Sequence, residues 1–373
     1  MSRQRGDPLL SVRDLRTYFH TREGIVRAVD GISFDVHRGE TVCLVGESGS
    51  GNTVSCESIT GLVPTPPGEI TSGEIEFDGR DLTALSEAQL RGIRGDRIAH
   101  VFQNPGNVLD PVYTIGAQLI EAIRLHRAVS KRAARERAIT LLDRVGLPKP
   151  AARIEDYPHE FSGGMKQRVV IAMALSGDPD LLIADEPTTA LDVTIEAEIL
   201  RLLKDLQRER ELAILFVTHD LGVVAEIADR VVVTYAGKVM ERADVYDLFE
   251  RPAHPYTQAL LRSLPGTQGA AEPIGGSPAD PLRPPEGCRF HPRCPHAIAD
   301  CATGDQPPLF PASNTRSGNG NENGATAPDQ RASCVFYDGE HGSSTVRDGT
   351  DTSRGSGTDR GTKRTGGGEE SRS

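Results

Sequence analysis

The chain of 373 residues has no run of about 20 apolar residues, the length that a helix needs to cross a bilayer. No apolar run of the secretory type stands near its start, so we expect no secretory leader. An excess of positive charge is missing too: the net charge is −11, which argues against a nucleic-acid-binding surface. These absences predict a protein that stays in the cytoplasm and reaches a membrane only by docking to another protein.

Lysine is scarce, with six in the whole chain, so arginine and the acidic residues carry nearly all the charge. A core of this size needs no disulfides, and in a reducing compartment the six cysteines favour metal binding over disulfide bonds. Cys43 and Cys56 are expected to be small core residues instead, because they fall in an apolar strand and the helix after it.

A glycine-rich loop lacks the lysine that its pattern normally contains. The loop matches the phosphate-binding pattern G-x-x-x-x-G-K-[ST], with an apolar strand at 41–45 before it and a helix over 54–62 after it. Backbone N–H groups of such a loop bind phosphates, and a hydroxyl at its end binds Mg²⁺. Its residues are Gly46, Glu47, Ser48, Gly49, Ser50, Gly51, Asn52 and Thr53, with Asn52 in place of the lysine.

Further segments suited to nucleotide chemistry follow the loop. They are Gln103 at a strand end, the helix start Ser162, Gly163, Gly164 and Met165, the acids Asp185 and Glu186 after an apolar strand at 181–184, then Asp192, and His219. Asp185, Thr53 and Gln103 are candidate Mg²⁺ ligands, Glu186 a general base and His219 a γ-phosphate contact. Each feature alone is also typical of a strand end, a helix cap or a structural histidine. Their order along the chain favours a nucleotide site.

Taken together, these residues resemble the ATP-binding subunits of ABC transporters, in particular dipeptide and oligopeptide importers, a group with relatives that handle nickel. Gly46–Thr53 resembles Walker A, Gln103 the Q-loop, Ser162–Met165 the signature, Asp185 and Glu186 Walker B, Asp192 the D-loop and His219 the switch histidine. Further cues are Phe-Ser-Gly-Gly-Met at 161–165, Arg-Pro-Ala-His-Pro-Tyr-Thr at 251–257 and Gly-Cys-Arg-Phe-His-Pro-Arg-Cys-Pro at 287–295.

The resemblance implies an α/β fold: a P-loop NTPase core of ABC type with a small antiparallel β subdomain, a helical subdomain and a cysteine-rich C-terminal extension. It implies a nucleotide-binding domain at residues 1–264, with the helical part near 104–175, and the extension at 265–337. Residues 312–330 have the composition of a flexible insertion. Residues 338–373 have too few apolar side chains to build a core, so we predict a disordered tail.

ATP and Mg²⁺ are the ligands that this resemblance implies. Each ATP would lie between the glycine loop of one subunit and the Ser-Gly-Gly helix of another, and a second, different ATP-binding chain is the expected partner. Two membrane permease subunits and a solute-binding protein would complete the assembly, with this chain peripheral on the cytoplasmic face of the membrane. Tyr18 or Phe19 is the expected adenine-stacking aromatic.

Asn52 separates two functional predictions. The first is an ATPase that drives uptake of peptides or a related solute. The second is a regulatory half of a heterodimer, because an amide has no charge and is too short to span the phosphates. Loss of a charge-assisted hydrogen bond, worth about 1.5–3 kcal/mol, weakens ATP binding on the order of tenfold or more. A soluble ABC protein without a membrane partner is a third reading, but it usually carries two cassettes in one chain.

Four cysteines form a second candidate site. Cys288, Cys294 and Cys301 are spaced C-x5-C-x6-C, and Cys334 follows later. Zinc sites usually show closer pairs, whereas wider spacing suits a [4Fe–4S] cluster as well as zinc. In the resembled importer group, similar cysteines ligate an iron–sulfur cluster in some members. The alternatives are therefore a [4Fe–4S] cluster, zinc, or thiols without metal.

Overall fold

The computed structural model describes residues 6–189, 191–264, 272–312 and 330–338. The strands are β1 (Leu10–Thr21), β2 (Gly24–Val36), β3 (Thr41–Val45), β4 (Gly68–Phe77), β5 (Arg80–Asp81), β6 (Ile98–Val101), β7 (Leu181–Asp185), β8 (Ala213–Thr218), β9 (Arg230–Tyr235), β10 (Lys238–Asp244), β11 (Phe310–Pro311) and β12 (Arg331–Ala332). The helices are α1 (Asn52–Thr60), α2 (Glu87–Arg91), α3 (Pro105–Val108), α4 (Ile115–His126), α5 (Lys131–Arg144), α6 (Pro150–Arg153), α7 (Gly163–Ala174), α8 (Val193–Arg210), α9 (Leu221–Ile227), α10 (Val245–Glu250) and α11 (Pro255–Arg262). Short 3₁₀ turns lie at Pro158–Glu160, Leu175–Gly177, His291–Arg293, Ala299–Ala302 and Val335–Tyr337.

An eight-stranded sheet in the order β11-β12-β10-β9-β3-β8-β7-β6 forms the centre of the molecule. From β9 to β6 each strand pairs in parallel with its neighbour, as the predicted β–α–β pattern requires. Every residue of β3, β7 and β8 is buried, which explains their uninterrupted apolar runs. Because parallel strands end at the same edge of a sheet, the segments after β3, β6, β7 and β8 meet there.

A smaller sheet, in the order β2-β1-β4-β5, pairs antiparallel throughout, which agrees with the predicted β subdomain. Successive residues of β3 face opposite sides of the central sheet. Val42 and Leu44 pack with apolar residues of the smaller sheet, whereas Cys43 and Val45 pack on the helical side. Cys43 and Cys56 are both fully buried, as expected of core residues.

Between β6 and β7 the chain is described throughout and forms helices and turns only, from α3 to α7. Thr114 and Ser130 begin α4 and α5 by accepting backbone hydrogen bonds from Ala117 and Ala133. The apolar faces of α4, α5 and α7 share one core with the central sheet. This helical stretch carries the start of α7, which holds the Ser-Gly-Gly segment.

The described part of the cysteine-bearing segment adds two short strands to the central sheet. β12 pairs antiparallel with β10, and β11 pairs with β12. The side chain of Gln330 donates to the fully buried carboxylate of Glu241 at 2.9 Å. Residues 313–329 of the predicted insertion, and the predicted tail after residue 338, lie outside the described residues. Among the helices that are described, none is both long and apolar enough to cross a membrane.

Candidate active site

The glycine-rich loop lies between β3 and α1, as predicted. Gly51 precedes α1 with φ of 95°, and a Cβ atom there would stand 2.3 Å from the carbonyl oxygen of Ala28. Only glycine fits this position without moving the backbone. Ser48, Gly49 and Thr53 are exposed, so the phosphate-binding face of the loop and the N-terminus of α1 are open to solvent.

The side chain of Asn52 points into the protein, away from the exposed face of the loop. Its residue is 7% exposed, and its Oδ1 accepts a hydrogen bond from Thr234 Oγ1 at 2.6 Å. Thr234 belongs to β9 and also lies 3.2 Å from the carbonyl oxygen of Val45 at the end of β3. The amide of Asn52 therefore interacts with the central sheet beneath the loop, away from the exposed face where phosphates would bind.

Thr53 and Asp185 lie together, as the predicted Mg²⁺ site requires. Thr53 Oγ1 donates to Asp185 Oδ1 at 3.3 Å, and Asp185 ends the buried strand β7. Burial is the main cause that raises the pKa of Asp185 to about 6, and the nearby carboxylates of Glu186 and Glu57 raise it further, against the hydrogen bond from Thr53. A bound divalent cation would favour the ionised carboxylate, so the pair is a chemically suitable Mg²⁺ site.

Glu186 is the centre of the polar contacts at the strand ends. Its Oε2 accepts hydrogen bonds from Gln103 Nε2 at 2.8 Å and from Thr189 Oγ1 at 3.0 Å. Its Oε1 lies 3.1 Å from His219 Nδ1. The backbone of Glu186 has φ of 46°, a conformation that non-glycine residues rarely adopt. The structure thus brings Gln103, Glu186 and His219 together.

The Ser-Gly-Gly segment forms the N-terminus of α7. Ser162 Oγ accepts the backbone N–H of Met165 at 3.3 Å, and Ser162 and Gly163 are exposed. Gly164 is buried, and a Cβ atom there would lie 2.4 Å from Ile195 Cγ2 of α8. The helix N-terminus therefore presents N–H groups to solvent, where an anion from another molecule could approach.

Asp192 begins α8. Its Oδ1 accepts the backbone N–H of Ile195 at 3.0 Å, so the side chain caps the helix. Helix capping is a purely structural role, in contrast to the predicted D-loop role toward nucleotide. The two roles are compatible, because the second carboxylate oxygen stays available for another contact. The role of Asp192 toward nucleotide stays a prediction.

The two candidate adenine-stacking aromatics differ in their surroundings. Tyr18 donates its hydroxyl to Asp30 at 2.7 Å, and the guanidinium of Arg27 lies over its ring at 6.0 Å. Phe19 has its ring edge beside Gly68 of β4. Both rings are half-buried, and the choice between them stays a prediction.

The four C-terminal cysteines are close to one another without forming a metal site. Mainly through burial, with neighbouring thiols adding to the effect, the pKa is raised to about 11 for Cys288 and Cys294 and to about 12 for Cys334. In the described parts of the chain, no three His, Cys, Asp or Glu side chains are arranged to hold a metal ion. The arrangement of Cys288, Cys294, Cys301 and Cys334 thus does not support the predicted [4Fe–4S] or zinc site.

Several contact residues of the site escaped the sequence prediction. Thr189 and Thr234 contact Glu186 and Asn52 through single hydroxyl groups, which leave no pattern in a sequence. Tyr256 and Arg293 contact Glu47 of the loop. Both stand inside segments that the resemblance had singled out, 251–257 and 287–295, and this was the only signal that could have pointed to them.

Comparisons with known proteins agree with this geometry. The family described as ABC transporter matches residues 29–189, and the family described as oligopeptide/dipeptide transporter, C-terminal region, matches residues 240–301. The dipeptide transport ATP-binding protein DppD of Bacillus subtilis (strain 168) is 47% identical over 337 residues, which cover 90% of this chain and 99% of that protein. The chain belongs to the ABC transporter family. It is an ABC-type transporter ATPase that resembles the ATP-binding subunits of peptide importers.

Two further relatives of this ABC cassette are informative. The oligopeptide transport ATP-binding protein OppD of Bacillus subtilis (strain 168) is 49% identical over 311 residues, which cover 82% of this chain and 87% of that protein. The ATP-binding cassette MJ0796, solved as a dimer in a post-hydrolysis state with ADP and Pi, is 30% identical with a TM-score of 0.57. It covers 63% of this chain and 98% of its own, so the ABC cassette fold predicted from the sequence is confirmed.

Proposed function

We propose that this chain couples the binding and hydrolysis of MgATP to the uptake of dipeptides or oligopeptides. The observation that carries the proposal is that both parts of the chain have peptide-transport counterparts. The cassette is followed by a segment matching the C-terminal region of oligopeptide/dipeptide transporters, and a dipeptide transport relative aligns over 99% of its own length.

Uptake of a radiolabelled dipeptide and a radiolabelled oligopeptide tests this proposal directly. Host cells that lack the chain should take up less of at least one peptide than cells with the intact chain, and a plasmid-borne copy should restore uptake. Uptake of a free amino acid is the matched control and should not change. Equal peptide uptake with and without the chain would contradict the proposal.

In the proposed reaction the polar groups of the site divide the work between them. Thr53 and Asp185 would hold Mg²⁺, which neutralises charge on the phosphates, and Gln103 would contact the metal and the attacking water. Glu186 would take the proton from that water as general base. His219, 3.1 Å from Glu186 and on the same sheet edge, would orient this carboxylate and contact the γ-phosphate.

We propose that a second ATP-binding chain completes the site. The exposed N-terminus of α7, with Ser162 and Gly163, and the exposed loop residues Ser48 and Thr53 would then face the opposite subunit. We propose a heterodimer because Asn52 replaces the lysine of the phosphate loop in this chain, and a different second chain could supply a site that keeps this lysine. Light scattering with and without MgATP, on this chain alone and mixed with a co-encoded second cassette, tests it. Association with itself as tight as with the second cassette would contradict the heterodimer.

The second candidate function is that of the regulatory subunit in a heterodimeric ATPase pair. Such a subunit binds ATP and completes the partner's site but hydrolyses little ATP at its own site. The buried Asn52, hydrogen-bonded to Thr234, supports this candidate. In the assembled pair, Glu186→Gln in this chain should then leave ATP turnover nearly unchanged, whereas the corresponding substitution in the second cassette should abolish it. Equal losses from the two substitutions would favour two working sites.

An exposed apolar surface supports the proposed permease partners. Val112, Tyr113 and Tyr157 are 70%, 57% and 41% exposed. The backbone N–H of Ile115 donates to the carbonyl oxygen of Asp156, which brings their two segments side by side. Exposed large apolar side chains grouped in this way mark protein interaction sites. A membrane permease docked here would hold the chain peripherally at the cytoplasmic face of the membrane.

Charge placed on this surface tests the docking proposal. The double variant Tyr113→Glu with Tyr157→Glu should lose co-purification with the permease subunits and keep its nucleotide binding. Leu125, 77% exposed at the other end of α4, gives the matched control Leu125→Glu, which should co-purify normally. Retention of the permeases by the double variant would refute this docking surface.

A further inference from the structure

Glu47, the second residue of the phosphate loop, is held by a side chain from the C-terminal segment. Arg293 Nη1 lies 2.6 Å from Glu47 Oε2, and Arg293 Nη2 lies 3.1 Å from Glu47 Oε1. The Arg293 side chain is only 3% exposed, whereas that of Glu47 is 29% exposed. Two parallel, charge-assisted hydrogen bonds with one partner buried give a contact of defined geometry.

Arg293 is itself fixed before it reaches the loop. Its Nε donates to the carbonyl oxygen of Gly275 at 2.8 Å, and Nη2 is 3.2 Å from that of Ile274. The guanidinium also lies over the rings of Tyr235 and Phe290, at 5.7 and 5.9 Å. Because carbonyl and ring contacts hold the guanidinium, little side-chain entropy remains to be lost when it binds Glu47.

A second contact reaches the same residue through its backbone. The N–H of Glu47 donates to the hydroxyl of Tyr256 at 2.9 Å. Tyr256 is fully buried, and its ring packs on Tyr235 and Phe290 with centroid distances of 4.8 and 5.1 Å. Both the side chain and the backbone of Glu47 are therefore tied to one aromatic cluster, formed by Tyr235, Tyr256 and Phe290, which also supports Arg293.

We propose that Arg293 and Tyr256 are positioning residues for the phosphate loop, and that the cysteine-bearing C-terminal segment controls nucleotide affinity through Arg293. Arg293 neutralises a carboxylate that would otherwise stand beside bound phosphates, and Tyr256 orients the backbone where the loop begins. A loop that binds anions through N–H groups depends on this orientation. The inference rests on the proposed function, since it requires that the loop binds ATP.

Equilibrium binding of a fluorescent N-methylanthraniloyl-ATP with Mg²⁺ to the full chain tests the proposal. Arg293→Gln should weaken binding about tenfold, because it leaves Glu47 charged and unpaired. Adding Glu47→Gln to Arg293→Gln should recover much of that loss, since the uncompensated charge is gone. A merely structural role for Arg293 would not be rescued by a change in the loop. Arg283→Gln, an exposed arginine of the same segment, is the matched control and should bind normally.

Tyr256→Phe keeps the inference testable if Arg293→Gln does not fold, because it removes one oxygen and keeps the ring packing. It should weaken binding about three- to fivefold and lower the melting temperature by no more than about 4 °C, the cost of one lost hydrogen bond. Wild-type affinity in both Arg293→Gln and Tyr256→Phe, or no rescue by Glu47→Gln, would overturn the inference alone. If neither the wild type nor Asn52→Lys binds the nucleotide, the proposed function falls, and this inference falls with it.

Discussion

Among single residues, Asn52 departs most from what its position requires. Its amide accepts from Thr234 inside the protein and is too short and uncharged to replace an ammonium group at the phosphates. The neighbouring positive charge, Arg293, is engaged with Glu47 and does not take over this role. We therefore expect nucleotide binding to be weakened at this position of the loop.

We expect Asn52→Lys to tighten MgATP binding about tenfold or more, because it restores a charge-assisted contact to the phosphates. ATP turnover of the assembled complex should rise as well, since phosphoryl transfer depends on charge stabilisation. Asn52→Gln is the matched control: it lengthens the amide without adding charge and should bring little gain. Equal affinities for Asn52→Lys and Asn52→Gln in a nucleotide titration would show that charge at this position is unimportant.

Secondary-structure elements place the reactive groups by direct packing of one element on another. The start of α7 is the clearest case, because Gly164 lets this helix lie against Ile195 of α8. A Cβ atom at Gly164 would meet Ile195 Cγ2 at 2.4 Å, whereas one at Gly163 would meet its nearest neighbour, Leu191 Cδ2, at 3.8 Å. The two adjacent glycines thus have different structural requirements.

Gly164→Ala should therefore destabilise the protein by about 1–3 kcal/mol through overpacking, and Gly163→Ala should change its stability by less than about 1 kcal/mol. Urea unfolding of both variants beside the wild type measures the difference. If both substitutions lowered the free energy of unfolding equally, contact with α8 would not be the reason for glycine at position 164.

The strand β6, which leads to Gln103, carries a half-buried histidine whose two ring nitrogens are shielded from solvent. His100 stacks on Phe102 with ring centroids 4.2 Å apart, and neither of its buried ring nitrogens has a hydrogen-bond partner within the described chain. Burial lowers the pKa of His100 from 6.5 to about 4. Between these values the unfolded chain takes up a proton that the folded chain does not, so stability falls as the pH drops.

This histidine should cost at most about 3 kcal/mol of unfolding free energy between pH 6.5 and pH 4. His100→Phe should therefore show a smaller loss of stability on acidification than the wild type. The exposed His159 provides the control His159→Gln, which should keep the wild-type pH dependence. Parallel stability curves for His100→Phe and the wild type in urea unfolding at several pH values would refute the assignment.

At the scale of the whole molecule, the C-terminal segment is part of the central sheet. β12 pairs with β10, and Glu241 of β10 is fully buried with hydrogen bonds from Gln330 and from the backbone N–H groups of Ala253 and His254. Burial raises the pKa of Glu241, in opposition to these hydrogen bonds. Removing the segment would expose the sheet edge and take away one partner of a buried acid.

Truncation after residue 264 should therefore lower the melting temperature by several degrees or make the protein insoluble. Truncation after residue 338 keeps β12, Gln330 and Arg293, and it should melt like the full chain. Differential scanning calorimetry of the two truncated proteins distinguishes these outcomes. A stable, soluble protein that ends at residue 264 and melts like the full chain would show that the segment is an independent appendage.

Local sequence determined much of this protein. The strand, the glycine loop and α1 follow one another in the chain, so neighbouring residues were enough to predict them, and the order from Gln103 to His219 predicted the ABC cassette. Tertiary structure alone decided which side chains meet. Asn52 and Thr234 are 182 residues apart, and Glu47 and Arg293 are 246 residues apart. Such contacts depend on how distant segments pack around the central sheet, and the periodicity of apolar residues carries no information about them.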